Sequence, residues 1–239
     1  KFLIKNMKRK ILILFIAFTS TVVSAQSLIP VKYGISTGFS LSSFNITSAE
    51  GIQPTDNSSQ IGISAGLIIH IPLSDKWFIN PEVLYSQKGS SFNYSFTHDY
   101  DVNQRDIYKT TNQLTLSYLD INPIISYKAS DKFALNLGPS VSFLIGEKYV
   151  YTQDPAKENL NSPNLLTDGV VKVESLDVGL NIGVSYFLTE HFLINAKINN
   201  GLMQVATADQ PTELVNNSDT ETEYTFKNSS INLSITYLF

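Results

Sequence analysis

The last ten residues, Ser230-Ile231-Asn232-Leu233-Ser234-Ile235-Thr236-Tyr237-Leu238-Phe239, alternate with a period of two. Ile231, Leu233, Ile235, Tyr237 and Phe239 take one parity, and Ser230, Asn232, Ser234 and Thr236 take the other. That is a β-strand with one apolar face and one small polar face. A water-soluble domain seldom ends on such a strand, because chain ends fray. In a closed barrel, by contrast, the last strand must pair with the first, so an apolar terminal strand is required there.

The other end of the chain points to export. Lys8, Arg9 and Lys10 precede the apolar run 11–18, and Val23-Ser24-Ala25 supplies small residues before Gln26. A basic region, a short apolar segment and a small-x-small site describe a secretory signal peptide. Its apolar run falls short of the ~20 residues that a spanning helix needs. The expected organisation is therefore a signal peptide at 1–25, with 1–6 ahead of Met7 and possible upstream translation, and one barrel domain at 26–239. The chain contains no Cys, which excludes disulfides, thiolate metal sites and an acylated-cysteine anchor. Without residues 1–25, 12 basic and 21 acidic residues leave a net charge of −9. That balance argues against nucleic-acid binding, which needs a basic surface.

Eight strands are predicted, near 33–44, 60–71, 77–94, 113–128, 132–148, 174–188, 191–204 and 230–239. The joints after the second, fourth and sixth are tight, as in Pro72-Leu73-Ser74-Asp75-Lys76, Ala129-Ser130-Asp131 and Thr189-Glu190. Those after the first, third, fifth and seventh, at 45–59, 95–112, 149–173 and 205–229, are long and polar. Alternating short turns and long loops is the pattern of a membrane barrel. A sandwich has no reason to sort its loops this way.

Volume decides which face points out. The sixth predicted strand sets Leu176, Val178, Leu180, Ile182, Val184 and Tyr186 against Asp177, Gly179, Asn181, Gly183 and Ser185. An eight-stranded barrel has an interior only just wide enough for its side chains. About forty bulky groups, summed over eight such strands, would overfill it. The apolar face is therefore predicted to meet lipid, and Gly, Ser, Asn and a few charges to line a narrow lumen. Tyr33, Trp77, Tyr85, Tyr127, Phe133, Tyr186, Phe192, Tyr237 and Phe239 fit interfacial girdles. Pro81, Pro123 and Pro139 fall inside strands of a sheet that has no edge, where the tolerable places are bulges.

Several segments resemble a known family. Phe78-Ile79-Asn80-Pro81-Glu82-Val83-Leu84-Tyr85-Ser86-Gln87-Lys88-Gly89 is similar to the third-strand signature of the small PorT-like outer-membrane barrels of Bacteroidetes-type bacteria. Leu119-Asp120-Ile121-Asn122-Pro123 and Leu137-Gly138-Pro139 resemble the fourth and fifth strands, and the Ser-Asp-Lys turns resemble that family's periplasmic turns. The resemblance runs over most of 33–239 and implies an eight-stranded antiparallel up-and-down barrel in a Gram-negative outer membrane. It implies partners in outer-membrane lipid and lipopolysaccharide, and recognition of 231–239 by the barrel-assembly machinery. It supplies no activity, because the family is defined by its barrel.

Chemistry-bearing residues are few. His98 lies near Asp99 and Asp101 without a nucleophile or ligand set at recognisable spacing, and no catalytic residue, metal site or cofactor is expected. Glu82, Lys88, Asp120, Lys128, Asp177 and Lys197 fall on the lumen parity and are expected to pair as a charge network. Such a network makes a closed plug, or else lines a thin ion path. The loop acids Asp209, Glu213, Asp219, Glu221 and Glu223 suit solvated surface or cation bridging to lipopolysaccharide or a ligand. Tyr94, Phe96, Tyr100 and Tyr108 suit recognition of a partner. The expected role is thus non-enzymatic: structural, adhesive or assembly partner. A narrow porin-like channel is the alternative, and a lipid-modifying hydrolase the third.

Overall fold

The computed structural model describes residues 31–48, 56–101, 104–153, 171–215 and 218–239. The predicted signal peptide at 1–25 lies outside the described residues. Ten strands are described: β1 (Lys32–Ser48), β2 (Asp56–Pro72), β3 (Trp77–Asp101), β4 (Gln104–Lys128), β5 (Phe133–Gln153), β6 (Lys172–Val173), β7 (Leu176–Phe187), β8 (Phe192–Gly201), β9 (Ala206–Val215) and β10 (Ser218–Leu238). Eight of them form an antiparallel ring, β1-β2-β3-β4-β5-β7-β8-β10, closed by β1 pairing with β10. The eight predicted strands are these eight. β6 and β9 were predicted as loop.

The closing seam is set by the terminal alternation. Phe39 stands opposite Leu233, Leu41 opposite Ile231, and Ser40 opposite Asn232. On its other edge β10 pairs with β8, from Ser229↔Asn200 to Tyr237↔Phe192. The apolar parity points outward: Phe39, Ile61, Leu67, Leu135, Ile182 and Leu233 are all exposed. Glu82, Lys88, Asn122, Asp177 and Ser185 are buried in the interior. A chain with its greasy groups outside and its polar groups inside is matched to lipid rather than water. Glycine lets neighbouring strands pair closely, as β2 and β3 do at Gly66. A Cβ added at Gly66 would lie 2.1 Å from the Val83 carbonyl oxygen.

One turn chemistry recurs at the short-joint end. Ser74 Oγ accepts from Trp77 N at 3.1 Å, Ser130 Oγ from Phe133 N at 3.2 Å, and Thr189 Oγ1 from Phe192 N at 3.0 Å. Each turn delivers an aromatic to the start of the next strand. Trp77 then packs on Tyr127 with ring centroids 4.9 Å apart, Phe133 on Tyr186 at 4.9 Å and Phe192 on Tyr237 at 4.8 Å. These pairs form the inner girdle, and Phe239 N donates to Tyr33 O at 2.7 Å where the ring closes.

The strands on the long-loop side extend further than predicted. β3 and β4 are each 25 residues long, whereas a tilted strand needs about 9–11 to cross a bilayer. Their outer halves pair up to Asp101↔Gln104, with one register shift between Asp99 and Asp101, so most of the predicted loop 95–112 is strand. Polar Thr and Tyr residues there carry strong β preference without the apolar alternation that marks a lipid-facing segment.

The three prolines are not at bulges. Pro81 stands directly opposite Pro123 in an unbroken β3–β4 ladder. The β2–β3 ladder is interrupted between Ile68↔Glu82 and Ile71↔Ile79, and the β4–β5 ladder between Ile121↔Val141 and Ile125↔Leu137. Register is the same on both sides of each gap, so the missing N–H groups interrupt pairing without shifting it. The register shifts lie elsewhere, between Ser59 and Ser64, Asp99 and Asp101, Ser117 and Tyr118, and Thr220 and Glu221.

Ile182 lies mid-strand on the outer face, opposite Leu137 and Ile198. Replacing it with Arg is expected to cost about 2–4 kcal/mol if it sits near the bilayer midplane. Urea unfolding in vesicles, followed through the single tryptophan Trp77, measures this.

Candidate functional site: a sealed polar lumen

The interior is layered. The innermost polar layer is a head-to-tail run of side chains, one from each ring strand. His70 Nδ1 meets Asn80 Oδ1 at 2.9 Å, and Asn80 Nδ2 donates to Ser126 Oγ at 3.4 Å. Ser126 Oγ donates to Asn136 Oδ1 at 2.8 Å, and Asn136 Nδ2 to Ser185 Oγ at 2.7 Å. Ser185 Oγ then donates to Asn195 Oδ1 at 2.6 Å, Asn195 Nδ2 to Thr236 Oγ1 at 2.9 Å, and Thr236 Oγ1 to Ser36 Oγ at 3.1 Å. The Ser126, Ser185 and Thr236 hydroxyls each both accept and donate, which is how buried polar groups avoid desolvation cost.

Above this belt the charges meet. Lys197 Nζ lies 2.7 and 2.5 Å from the two Glu82 carboxylate oxygens, although β8 and β3 are far apart in sequence. Asn122 Nδ2 donates to the same carboxylate at 3.3 Å, and Asn122 Oδ1 accepts from Asn181 Nδ2 at 3.2 Å. A second group lies further out. Lys88 Nζ donates to Ser142 Oγ at 3.2 Å, sits 3.7 Å from Asp120 Oδ1 and lies 5.0 Å from the centre of the Tyr118 ring. Ser86 Oγ donates to Asp120 Oδ2 at 2.7 Å. Asp177 Oδ2 accepts from Asn228 Nδ2 at 2.8 Å, and Asn228 Nδ2 also reaches Tyr118 Oη at 3.3 Å. Between the two groups is a cavity of about 20 Å³, room for roughly one water.

Of the six predicted lumen charges, five are therefore brought together inside. Lys128 is not. It is the last residue of β4 and pairs with exposed Asp131 of the following turn at 3.1 Å. Its parity is right, but it stands past the end of the enclosed lumen.

Both ends of the polar interior are shut by apolar groups, which the sequence reading did not anticipate. At the short-turn end Ile68, Leu193 and Leu238 pack with Phe187. At the other end Phe44, Ile46, Phe92, Leu114, Leu116, Tyr118 and Phe226 form one buried cluster with Val205, Ala206 and Ala208. Phe226 is its centre, 5.7 Å from Phe44 and 5.3 Å from Phe92, ring centre to ring centre. β9 supplies part of this seal. It pairs with β10 and also touches β3 at His98↔Leu214, two ring strands separated by β1 and β2. The predicted loop 205–229 is thus partly a strand folded onto the barrel's outer end. The even-parity run Phe44, Ile46 in β1 carried the signal, since it continues the inward face established by Ser40 and Ser42.

No group of three His, Cys, Asp or Glu among the described residues is placed to hold a metal ion. His191 Nδ1 contacts the Leu238 carbonyl oxygen at 2.8 Å and so ties the β7–β8 turn to the terminal strand. Side chains at 94–110 and 209–223, where His98 and the loop acids and aromatics fall, lie outside the described residues.

Removing one partner of the Glu82–Lys197 pair leaves a buried charge without compensation. Lys197→Met is expected to destabilise by about 3–5 kcal/mol, and adding Glu82→Gln should recover a large part of that loss. A double-mutant cycle by urea unfolding checks the coupling.

Comparison with solved structures shows similarity to outer-membrane barrels. Neisserial surface protein A is 13% identical with a TM-score of 0.40, covering 88% of this chain and 99% of that one. Ail, the attachment invasion locus protein of Yersinia pestis, is 10% identical with a TM-score of 0.38, covering 87% and 99%. OprG from Pseudomonas aeruginosa is 14% identical with a TM-score of 0.44, covering 88% and 97%. No curated protein sequence matches the chain. The profile of one family, described as an outer membrane protein beta-barrel domain, matches residues 24–207. That span is more than half of the chain, and the description names a β-barrel, the architecture found here. The protein belongs to the outer membrane protein beta-barrel domain family.

Proposed function

We propose that this protein is a non-conducting, non-enzymatic anchor in the outer membrane, with a structural, adhesive or assembly-partner role carried by its outer strands. The observation that carries this reading is the sealed lumen. Apolar clusters close both ends, and paired charges with Asn and Ser hydrogen bonds fill the space between. Water and ions need a continuous wet path, and two apolar constrictions in series oppose one. The outer halves of β3 and β4 extend well past the length that spans a bilayer, which gives partners a surface beyond it. His70 and His191 are each held by structural contacts, which fits a role other than catalysis.

The finer assignment to a PorT-like branch is supported by the aligned Pro81, Pro123 and Pro139, which fall at equivalent heights on neighbouring strands. Recognition of residues 231–239 by barrel-assembly machinery is supported by their position at the closing seam. An export signal at 1–25 is consistent with the family's location. Lipopolysaccharide is the natural neighbour of the outer strands in such a membrane. The narrow-channel reading would rest on the small cavity beside Lys88 and Lys197, which the two seals isolate.

In a planar bilayer the purified protein is expected to leave the baseline conductance unchanged. Steady openings on the nanosiemens scale would show that the lumen conducts and would reject the anchor reading.

A further inference from the structure

The described lumen encloses three carboxylates, Glu82, Asp120 and Asp177, and two ammonium groups, Lys88 and Lys197. Glu82 and Lys197 neutralise one another at hydrogen-bond distance. Lys88 lies beside Asp120. Asp177, only 1% exposed, has no ion-pair partner among the described residues. One negative charge is left over, and a buried charge requires compensation.

The unpartnered groups share one chemistry. Asp120 Oδ1, Asp177 Oδ1, Asn199 Oδ1 and Asn228 Oδ1 are buried and have no hydrogen-bond partner within the protein. All four are oxygens that accept, and none is a donor. Register brings the charged ones to one height, because Asp120 stands opposite Ser142 and Ser142 opposite Asp177. Lys88 is fixed between them on Ser142 and over Tyr118, so it shares its charge without contacting Asp177. Gly201 packs closely against Asp177 and the Asn228 backbone. A Cβ there would lie 3.2 Å from Asp177 Oδ1 and 3.0 Å from the Asn228 carbonyl oxygen.

We propose that the outer half of the lumen binds one small monovalent cation, held by Asp177 Oδ1 and Asn228 Oδ1 beside Gly201. Hard cations take oxygen ligands from carboxylates and amide carbonyls. Charge selects the monovalent class, since one positive charge neutralises the interior and a divalent ion would leave it positive. The proposal is independent of which partner the outer strands meet, and a conducting lumen would not by itself remove the site.

The test compares urea unfolding of the full chain in vesicles, in potassium chloride and in N-methylglucamine chloride at equal ionic strength. At a potassium concentration about ten times its dissociation constant, the folded-to-unfolded ratio should rise about tenfold. Asp177→Asn removes the excess charge and should abolish that difference. Gly201→Ala leaves every charge in place and should raise the potassium needed for the same effect. It also carries the test if Asp177→Asn does not fold. Crystals grown with thallium(I) should show an anomalous peak beside Asp177 and Asn228. Equal stability of the wild-type protein in both salts would overturn the proposal. So would a stabilisation by acid that is the same in both salts, because the compensating species would then be a proton.

Discussion

The bilayer interior offers no hydrogen-bond partner to a peptide group, and the rest of this structure depends on that constraint. A sheet can cross lipid only if it has no edge. Here the condition is met by the pairing of β1 with β10, which runs without interruption from Gly34↔Leu238 to Ser48↔Tyr224. The apolar alternation at 231–239 supplies one wall of that seam, and the Ser-rich first strand supplies the other. The same constraint explains the handling of proline. Each of Pro81, Pro123 and Pro139 lacks a donor, yet they fall at one level of three adjacent strands, where the β2–β3 and β4–β5 ladders lapse and resume in register while β3–β4 pairing continues.

Closure at eight strands leaves a narrow interior, and side-chain volume then dictates its contents. Gly, Ser and Asn fill it, and their polar atoms must satisfy one another because bulk water is excluded. The head-to-tail run from His70 to Ser36 does this with one residue per strand, and the Glu82–Lys197 pair pins β3 to β8 across the barrel. Buried ion pairs are weak stabilisers once desolvation is counted. Their value here is specificity of register, since a slip of one residue in either strand would turn Glu82 or Lys197 toward lipid. Apolar clusters then bound the polar interior at its two ends.

The architecture was legible because a period of two records both faces of a strand in the sequence. The parity of 230–239, the alternation of short and long joints, and the small volume of the polar face were enough to give the ring and its orientation. What stayed hidden depended on register and on long-range pairing. Asn80, Ser126, Asn136, Ser185 and Asn195 are ordinary polar residues until pairing sets them at one height. Lys128 has the lumen parity of its strand, but its distance along the barrel axis places it at the end of β4. Phe44, Ile46 and Phe226 continue an inward face whose lower part is polar, so parity alone pointed to a polar lumen throughout. β9 was missed because Gln210 and Pro211 interrupt an otherwise weak strand pattern, and β10 fixes it only through tertiary pairing.

The central claim is that the chain is folded with its apolar parity in lipid and its polar parity enclosed. The absence of cysteine makes that directly measurable. Single cysteines placed in turn along residues 230–239, labelled with an environment-sensitive fluorophore in vesicles containing brominated lipid, report which side chains touch acyl chains. The account predicts strong quenching at 231, 233 and 235 and little at 230, 234 and 236. Quenching without alternation, or with the opposite parity, would contradict it.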